Sequence, residues 1–343
     1  MSRGMLRLGV AGLGGIGFLH ARNVDALERG TLVAVASARP GRAAEVAALL
    51  DARPCSYEEL LAADDVDAVV VAARSVDHAQ LGAAVLRSGK HLFLEKPGAT
   101  TLAAHDALCA AAAEHPELVV QVGYHRRYDP SFVELHRAVA GGAIGEPLLV
   151  LATSRDVRAP EPEAPEPTGG FLVDMAVHDY DAFRWLLGRE PVDVFAARQA
   201  HVYPELADLG DLDNATVTVR FEGDGIATTH LSRTGAFGHD VRMEVVGSEG
   251  SALLGNLPGE ESVVILTGRD RAGFPQDYQA RFREAYPAEL EAFVAACLGD
   301  GTRGPGLSED RRALAIGVAA RASAVDGVPR EVGLDWPWIL NPA

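Results

Sequence analysis

Lysine is almost missing from this chain. Of its 31 basic residues only Lys90 and Lys96 are lysine, and every other one is arginine. Arginine replaces lysine at many surface ion pairs. It does not replace it where a compact ammonium must meet a single oxygen, or where a tunable proton affinity is needed. A chain that writes its cations as arginine therefore marks Lys96, in Glu95-Lys96-Pro97, as a residue with a chemical duty. Basic residues are also few as a class, 31 against 48 acidic ones, a net charge of −17. That deficit excludes nucleic acid and anionic membrane surfaces as expected partners, because both require a basic patch. An anionic cofactor stays open, since it needs only a local cradle of backbone N–H groups.

Cysteine is scarce too. Cys55, Cys109 and Cys297 are odd in number, widely spaced and in no paired motif. This pattern suits free thiols in a reducing cytosol. No apolar run approaches the roughly 20 residues that span a bilayer. No apolar stretch with a small-residue cleavage site is visible near Met1–Met5, so a cytoplasmic location is expected. What is present is a chain of 343 residues, 48% hydrophobic, which predicts two domains with ample core.

The first third alternates between strand and helix patterns. Leu6–Ala11 reads as a buried strand, followed by Gly12-Leu13-Gly14-Gly15-Ile16-Gly17 and a helix from Phe18 to about Glu28. This is G-x-G-x-x-G between a strand and a helix. Gly12 allows the tight turn, Gly14 the approach of a pyrophosphate, and Gly17 close packing of helix on strand. The helix N-terminus then turns free N–H groups toward an anion. Further strands are expected at Leu32–Ala36, Val66–Ala72, His91–Leu94 and Leu118–Val122, with helices at Ala43–Leu50 and His78–Arg87. The alternation implies a parallel, right-handed Rossmann sheet. At the end of the second strand, where NAD-binding sites usually carry an acid, stand Ser37-Ala38-Arg39-Pro40-Gly41-Arg42. A hydroxyl and a guanidinium favour the 2′-phosphate of NADP over NAD, although a solvated Arg39 would admit both. The candidate cofactor contacts are Gly12, Gly14, Gly15, Ile16, Gly17, Ser37, Arg39, Ala73, Arg74, His78, Glu95 and Lys96.

The boundary is expected at residue 124, with 125–343 forming an α+β substrate and oligomerisation domain whose tail returns to the first domain. Tyr124–Pro130 is dense in polar and aromatic side chains. A helix at Ser131–Val139, a strand at Pro147–Ala152 and a Pro- and Glu-rich loop at Ala159–Gly170 follow. One continuous helix is expected over Leu172–Leu187, closed by Gly188. On it Asp174, His178 and Asp181 fall at i, i+4 and i+7 and share a face. A carboxylate one turn from an imidazole can orient the ring and hold its tautomer, which suits a general base. An ordinary surface pair and a metal site are the competing readings of the same three residues. Strands at Ala215–Phe221, Gly225–Leu231, Val241–Val246 and Ser262–Thr267 make a mainly antiparallel open sheet. Helices near Ala280–Leu298 and Ser308–Val325 and a strand and loop over Val328–Ile339 close the chain. The free sheet face is a plausible interface for a homodimer or homotetramer.

Taken together, these residues resemble the glucose–fructose oxidoreductase and inositol dehydrogenase family over nearly the whole chain. The carrying motifs are Gly12–Gly17, Glu95-Lys96-Pro97, Gly123–Pro130, Gly169–Asp181, Val245–Gly250 and Tyr286–Phe293. Around Arg126 and Asp174 the likeness is greatest to myo-inositol 2-dehydrogenases. The resemblance implies a nicotinamide-dependent oxidoreductase of a cyclitol or sugar hydroxyl. It implies Lys96 as the catalytic-site lysine before an often cis Pro97, and Asp174 and His178 as the carboxylate–imidazole pair. Asp156 and Asp181 are implied contacts to substrate hydroxyls, so that Lys96, His125, Arg126, Asp156, Asp174, His178, Asp181 and His239 make the candidate substrate set. Three places depart from the family pattern: Ser37 stands where an acid is common, Tyr124-His125 where an aromatic followed by Asn or Met is more usual, and His239 where an aromatic is common. A retained-cofactor enzyme of the same family and a non-catalytic NADP sensor are the rival functions; no metal is expected.

Overall fold

The protein is described from a computed structural model covering residues 4–157, 169–255 and 274–333. In chain order its elements are β1 (Leu6–Ala11), α1 (Gly15–Asp25), β2 (Gly30–Ala36), α2 (Arg42–Leu50), β3 (Arg53–Cys55), α3 (Tyr57–Ala62), β4 (Ala68–Val71), α4 (Ser75–Arg87), β5 (His91–Leu94), α5 (Leu102–Ala113) and β6 (Val120–Val122). A 3₁₀ turn at His125–Tyr128 leads to α6 (Pro130–Ala140), β7 (Pro147–Arg155), α7 (Phe171–Asp174), α8 (Val177–Leu187), β8 (Pro191–Gln199), α9 (Glu205–Asp208), β9 (Asn214–Phe221), β10 (Ile226–Ser232), β11 (Asp240–Gly247) and β12 (Ser251–Leu254). The chain closes with α10 (Tyr278–Arg281), α11 (Ala285–Cys297), α12 (Leu307–Asp326) and β13 (Arg330–Glu331). Among the described residues no helix is long and apolar enough to cross a membrane.

Contacts divide the chain into two units. One takes Met1–Tyr128 and Glu284–Leu314, the other Asp129–Arg283 and Ala315–Leu334. The first contains a parallel sheet in the order β3-β2-β1-β4-β5-β6. Its central strand β4, Ala-Val-Val-Val, is fully enclosed, as a strand covered by helices on both faces must be. The second contains a seven-stranded sheet, β12-β11-β7-β10-β9-β8-β13, in which β7 and β10 run parallel and the remaining pairs antiparallel. This is an α/β fold with a Rossmann sheet and a mainly antiparallel second sheet.

Four sequence expectations change. The expected boundary at 124 gave everything beyond it to the second domain, yet α11 falls in the first unit. The reason is hydrophobic: Leu290, Phe293 and Val294 join Leu8, Val24, Val35 and Phe93 in one buried cluster. α1 begins at Gly15, so the last motif glycine lies inside the helix. The short pieces β3 and α3 and the 12-residue helix α5 were not foreseen. α3 starts with a capping box, in which Ser56 Oγ accepts from Glu59 N at 3.1 Å and Ser56 N donates to Glu59 Oε2 at 2.8 Å. Finally, the expected single helix over Leu172–Leu187 is two, α7 and α8, broken at Met175 and Ala176. Each half has its own anchor. Asp211 Oδ1 accepts from Phe171 N at the start of α7, and Asp179 of α8 is tied to β7 and β10 through Ser154 and Thr229. Gly188 does end α8, at φ 63°. The expected strand Ser262–Thr267, most of the loop Ala159–Gly170 and the tail beyond residue 333 lie outside the described residues.

Candidate active site

The glycine turn has the close approaches that only glycine permits. Gly12 has φ 96°, and a Cβ there would stand 2.4 Å from Ala72 O and 2.5 Å from Ala73 N. A Cβ on Gly17 would fall 2.0 Å from Gly12 O. Gly14 differs: nothing lies within 4 Å of where its Cβ would point. It precedes α1, whose first turn carries no acidic side chain. Open space in front of unbonded N–H groups at a helix start fits a dinucleotide pyrophosphate. Past β2, Arg39 N donates to Ser37 Oγ at 3.2 Å and the Arg39 side chain is exposed. Arg42 instead reaches back to the motif, donating to Leu13 O at 3.1 Å and lying over the Phe18 ring.

Lys96 sits in a segment held from several directions. The Lys96–Pro97 peptide is cis. Glu95 Oε1 is 2.6 Å from His20 Nε2, and Glu95 Oε2 accepts from Lys96 N at 3.1 Å. Pro97 O is 2.8 Å from His78 Nδ1, while His78 Nε2 lies 3.1 Å from Ala73 O. Both ring nitrogens of His78 thus face carbonyls, one of them that of Pro97 in the lysine segment. Gly98 N donates to Asp310 Oδ2 at 2.9 Å. Fully buried Asp310 also accepts from Tyr124 Oη at 2.6 Å and meets His105 Nε2 at 2.8 Å. The segments that follow β5 and β6, together with α5, are fastened to one carboxylate in this way. Lys90, the other lysine, is buried as well, and its ammonium donates to Ala63 O and Val66 O at 2.7 and 3.0 Å. Both lysines therefore stand at restricted positions. His125 and Arg126, on the 3₁₀ turn after β6, are 5% and 4% exposed, with the His125 ring 4.8 Å from that of Tyr286.

In the second unit, Asp174 ends α7 and His178 lies in the first turn of α8, both half-buried. Asp181 is 1% exposed. The N-terminus of α7 is held by Asp211, whose other oxygen accepts from Arg233 Nη1 at 2.7 Å; that guanidinium covers the Phe171 ring at 4.5 Å. Asp156 and His239 come together, with Nε2 to Oδ1 at 3.3 Å, although 83 positions separate them in sequence. His239 also lines a cavity of about 330 Å³ together with Asp240, Phe274 and Arg281. Nearby, Arg155 pairs with Asp240 and His230. Burial, and then the Arg155 charge, push the His230 imidazole below its ordinary value.

The expected residues thus form two sets. Gly12–Gly17, Ser37, Arg39, Ala73, Arg74, Glu95 and Lys96 lie at or beyond the C-terminal ends of parallel strands in the first unit, where ligands of such sheets bind. Asp156, Asp174, His178, Asp181 and His239 belong to the second. The sequence reading missed His20, Asp179, Asp211, Asp310 and Glu289. Asp179 and Glu289 stood in quoted motifs, Gly169–Asp181 and Tyr286–Phe293, but without a role, since each acts through groups distant in sequence.

Comparison with known proteins agrees with this arrangement. Residues 6–124 match the oxidoreductase family with an NAD-binding Rossmann fold, and residues 132–253 match the GFO/IDH/MocA C-terminal domain. The chain belongs to this GFO/IDH/MocA oxidoreductase family. It is 32% identical to scyllo-inositol 2-dehydrogenase (NAD(+)) of Bacillus subtilis over 94% of this chain and 95% of that one. It is 34% identical to inositol 2-dehydrogenase of Rhizobium meliloti, over 94% and 97%. Among solved structures, scyllo-inositol dehydrogenase from Lactobacillus casei with bound NAD(H) and scyllo-inositol superposes with a TM-score of 0.86 at 25% identity, covering 96% of this chain and 99% of that one.

Proposed function

We propose that this protein is a nicotinamide-dependent cyclitol dehydrogenase that oxidises a secondary hydroxyl to a ketone, with NADP favoured over NAD. The carrying observation is that relatives with inositol dehydrogenase names match the chain nearly end to end, and that it keeps Lys96, Asp174 and His178. A nicotinamide cofactor held at the glycine turn would supply the acceptor for the hydride of the carbinol carbon. His178 takes the hydroxyl proton, and Asp174 orients its ring. Lys96 donates to the substrate oxygen and stabilises its developing negative charge. Gly12, Gly14, Gly15, Ile16 and Gly17 cradle the pyrophosphate, and Ser37 with Arg39 receives the adenosine ribose. Asp156, Asp181 and His239 contact the remaining hydroxyls.

NADP preference rests on the end of β2, where Ser37 and exposed Arg39 offer a hydroxyl and a cation and no carboxylate. Cytoplasmic residence rests on three free thiols, of which Cys297 is pushed up to about 12 by burial and is inert. Assembly with further copies rests on exposed Leu151, Phe195 and Ile226 on β7, β8 and β10; light scattering measures the state. The decisive assay follows reduction of NAD⁺ and NADP⁺ with a panel of inositols, aminocyclitols and hexoses. Turnover with a cyclitol supports the reading. Silence across the panel with nucleotide still bound transfers weight to a retained-cofactor enzyme or a sensor.

A further inference from the structure

Behind Lys96 lies a titratable cluster that hydride transfer does not use. Glu289 on α11 is fully enclosed, and neither of its carboxylate oxygens meets a donor among the described residues. Candidate ligand atoms of Glu289, Glu95 and His20 all lie within 4.8 Å of one another. The walls are close. The His20 ring is edge-on to Phe93 and Tyr286, Gln121 Nε2 donates to the Glu289 backbone carbonyl, and a Cβ at Gly123 would press on the Glu95 carboxylate at 3.2 Å. Tyr286 also carries the His125 ring on its other contact.

Two ionised carboxylates in so dry a space repel each other, and one of them must hold a proton. Geometry says which. Glu95 has two donors, His20 Nε2 and Lys96 N, so its charge is supported. Glu289 has none. His20 Nδ1 meets no partner among the described residues, which places the ring's proton on Nε2, where it bonds Glu95. A metal ion explains the cluster less well. Two ligands about 2 Å from one tetrahedral ion stand roughly 3.3 Å apart, whereas His20 and Glu95 approach to 2.6 Å, a hydrogen-bond distance. Burial, and then the Glu95 charge, push the Glu289 carboxyl well above its ordinary 4.5.

We propose that Glu289 is a neutral carboxylic acid that donates its proton to the Glu95 carboxylate, and that this buried acid–carboxylate pair positions Lys96. Glu289 is a positioning residue: it fixes Glu95, and Glu95 holds the Lys96 backbone. The proposal rests on the reading of Lys96 as the site lysine.

The test compares full-length Glu289→Gln and Glu289→Leu with the wild type. Glu289→Gln keeps a neutral donor and is expected to retain kcat and KM within about twofold. Glu289→Leu removes the donor and is expected to lower kcat by about ten- to a hundredfold, the scale of a misplaced group. The melting temperature of Glu289→Gln should gain on wild type as pH rises above 4.5, because only the wild-type chain must keep in the folded state a proton that the unfolded chain releases. The infrared spectrum of wild type at about pH 8 should show a carboxylic-acid carbonyl band that Glu289→Gln lacks. No acid band, Glu289→Gln as impaired as Glu289→Leu, or a stoichiometric divalent metal lost on Glu289→Gln would each overturn the proposal. If Lys96→Ala turns over normally, the lysine reading falls instead, while the infrared band still decides the proton.

Discussion

At the scale of single residues, scarcity was informative. Lys90 occupies a place where an ammonium on a thin stem fits, bonding two carbonyls from a buried position. Lys96→Arg keeps the charge but replaces a point donor with a planar fork. It is expected to lower kcat by at least tenfold, and His178→Ala by about 10²–10⁴-fold; steady-state rates with the best cyclitol measure both, and near-normal turnover would remove the residue from its role. Ser37→Asp should reverse cofactor preference, since a carboxylate bonds a ribose 2′-hydroxyl and repels a 2′-phosphate. The ratio of kcat/KM for NADP⁺ and NAD⁺ is the readout, and an unchanged ratio would locate discrimination elsewhere. What the sequence could not show at this scale were partners. Asp310 reads as one more acid in a helix, yet it receives Gly98 N and Tyr124 Oη from segments about 190–210 positions away.

At the scale of elements, the apolar runs located five of the six strands of the first sheet because buried parallel strands write as apolar, β-branched runs; the exposed edge strand β3 was missed. It failed over Leu172–Leu187. Helical spacing continues through the break, and nothing in the pattern marks Met175 as a junction. The cause lies in two acids outside the expected face: Asp179, drawn into the sheet, and Asp211, 37 positions past Asp174. Asp211→Ala strands the buried Arg233 guanidinium and frees the start of α7. Removing one partner of such a pair costs about 3–5 kcal/mol. Chemical denaturation should show that loss, with kcat falling further than stability because α7 carries Asp174. An exposed substitution such as Glu205→Ala on α9 is the control.

At the scale of the whole molecule, acid should weaken the fold over two pH ranges. Burial depresses the His91 and His230 imidazoles below their ordinary 6.5. They are neutral when folded, so stability is present above 6.5 and is lost as pH falls toward their folded values. Asp67 is held below its ordinary 3.8, first by the hydrogen bond from Arg7, so its contribution disappears only as pH drops through that lower range. Melting temperature against pH should fall from about 6.5 downward and again below 3.8. A flat profile to pH 4 would contradict the burial of both histidines.

The two-domain outline was legible, but the path of the chain was not. Leu290, Phe293 and Val294 are synthesised after every strand of the second sheet except β13, yet they complete the cluster around Phe93. On the ribosome, the nucleotide-binding half must therefore wait, with an apolar flank uncovered, until about five-sixths of the polypeptide has been made. Any premature stop before α11 would leave a sheet with its strands in hand and its lining missing, a ready substrate for chaperones and proteases.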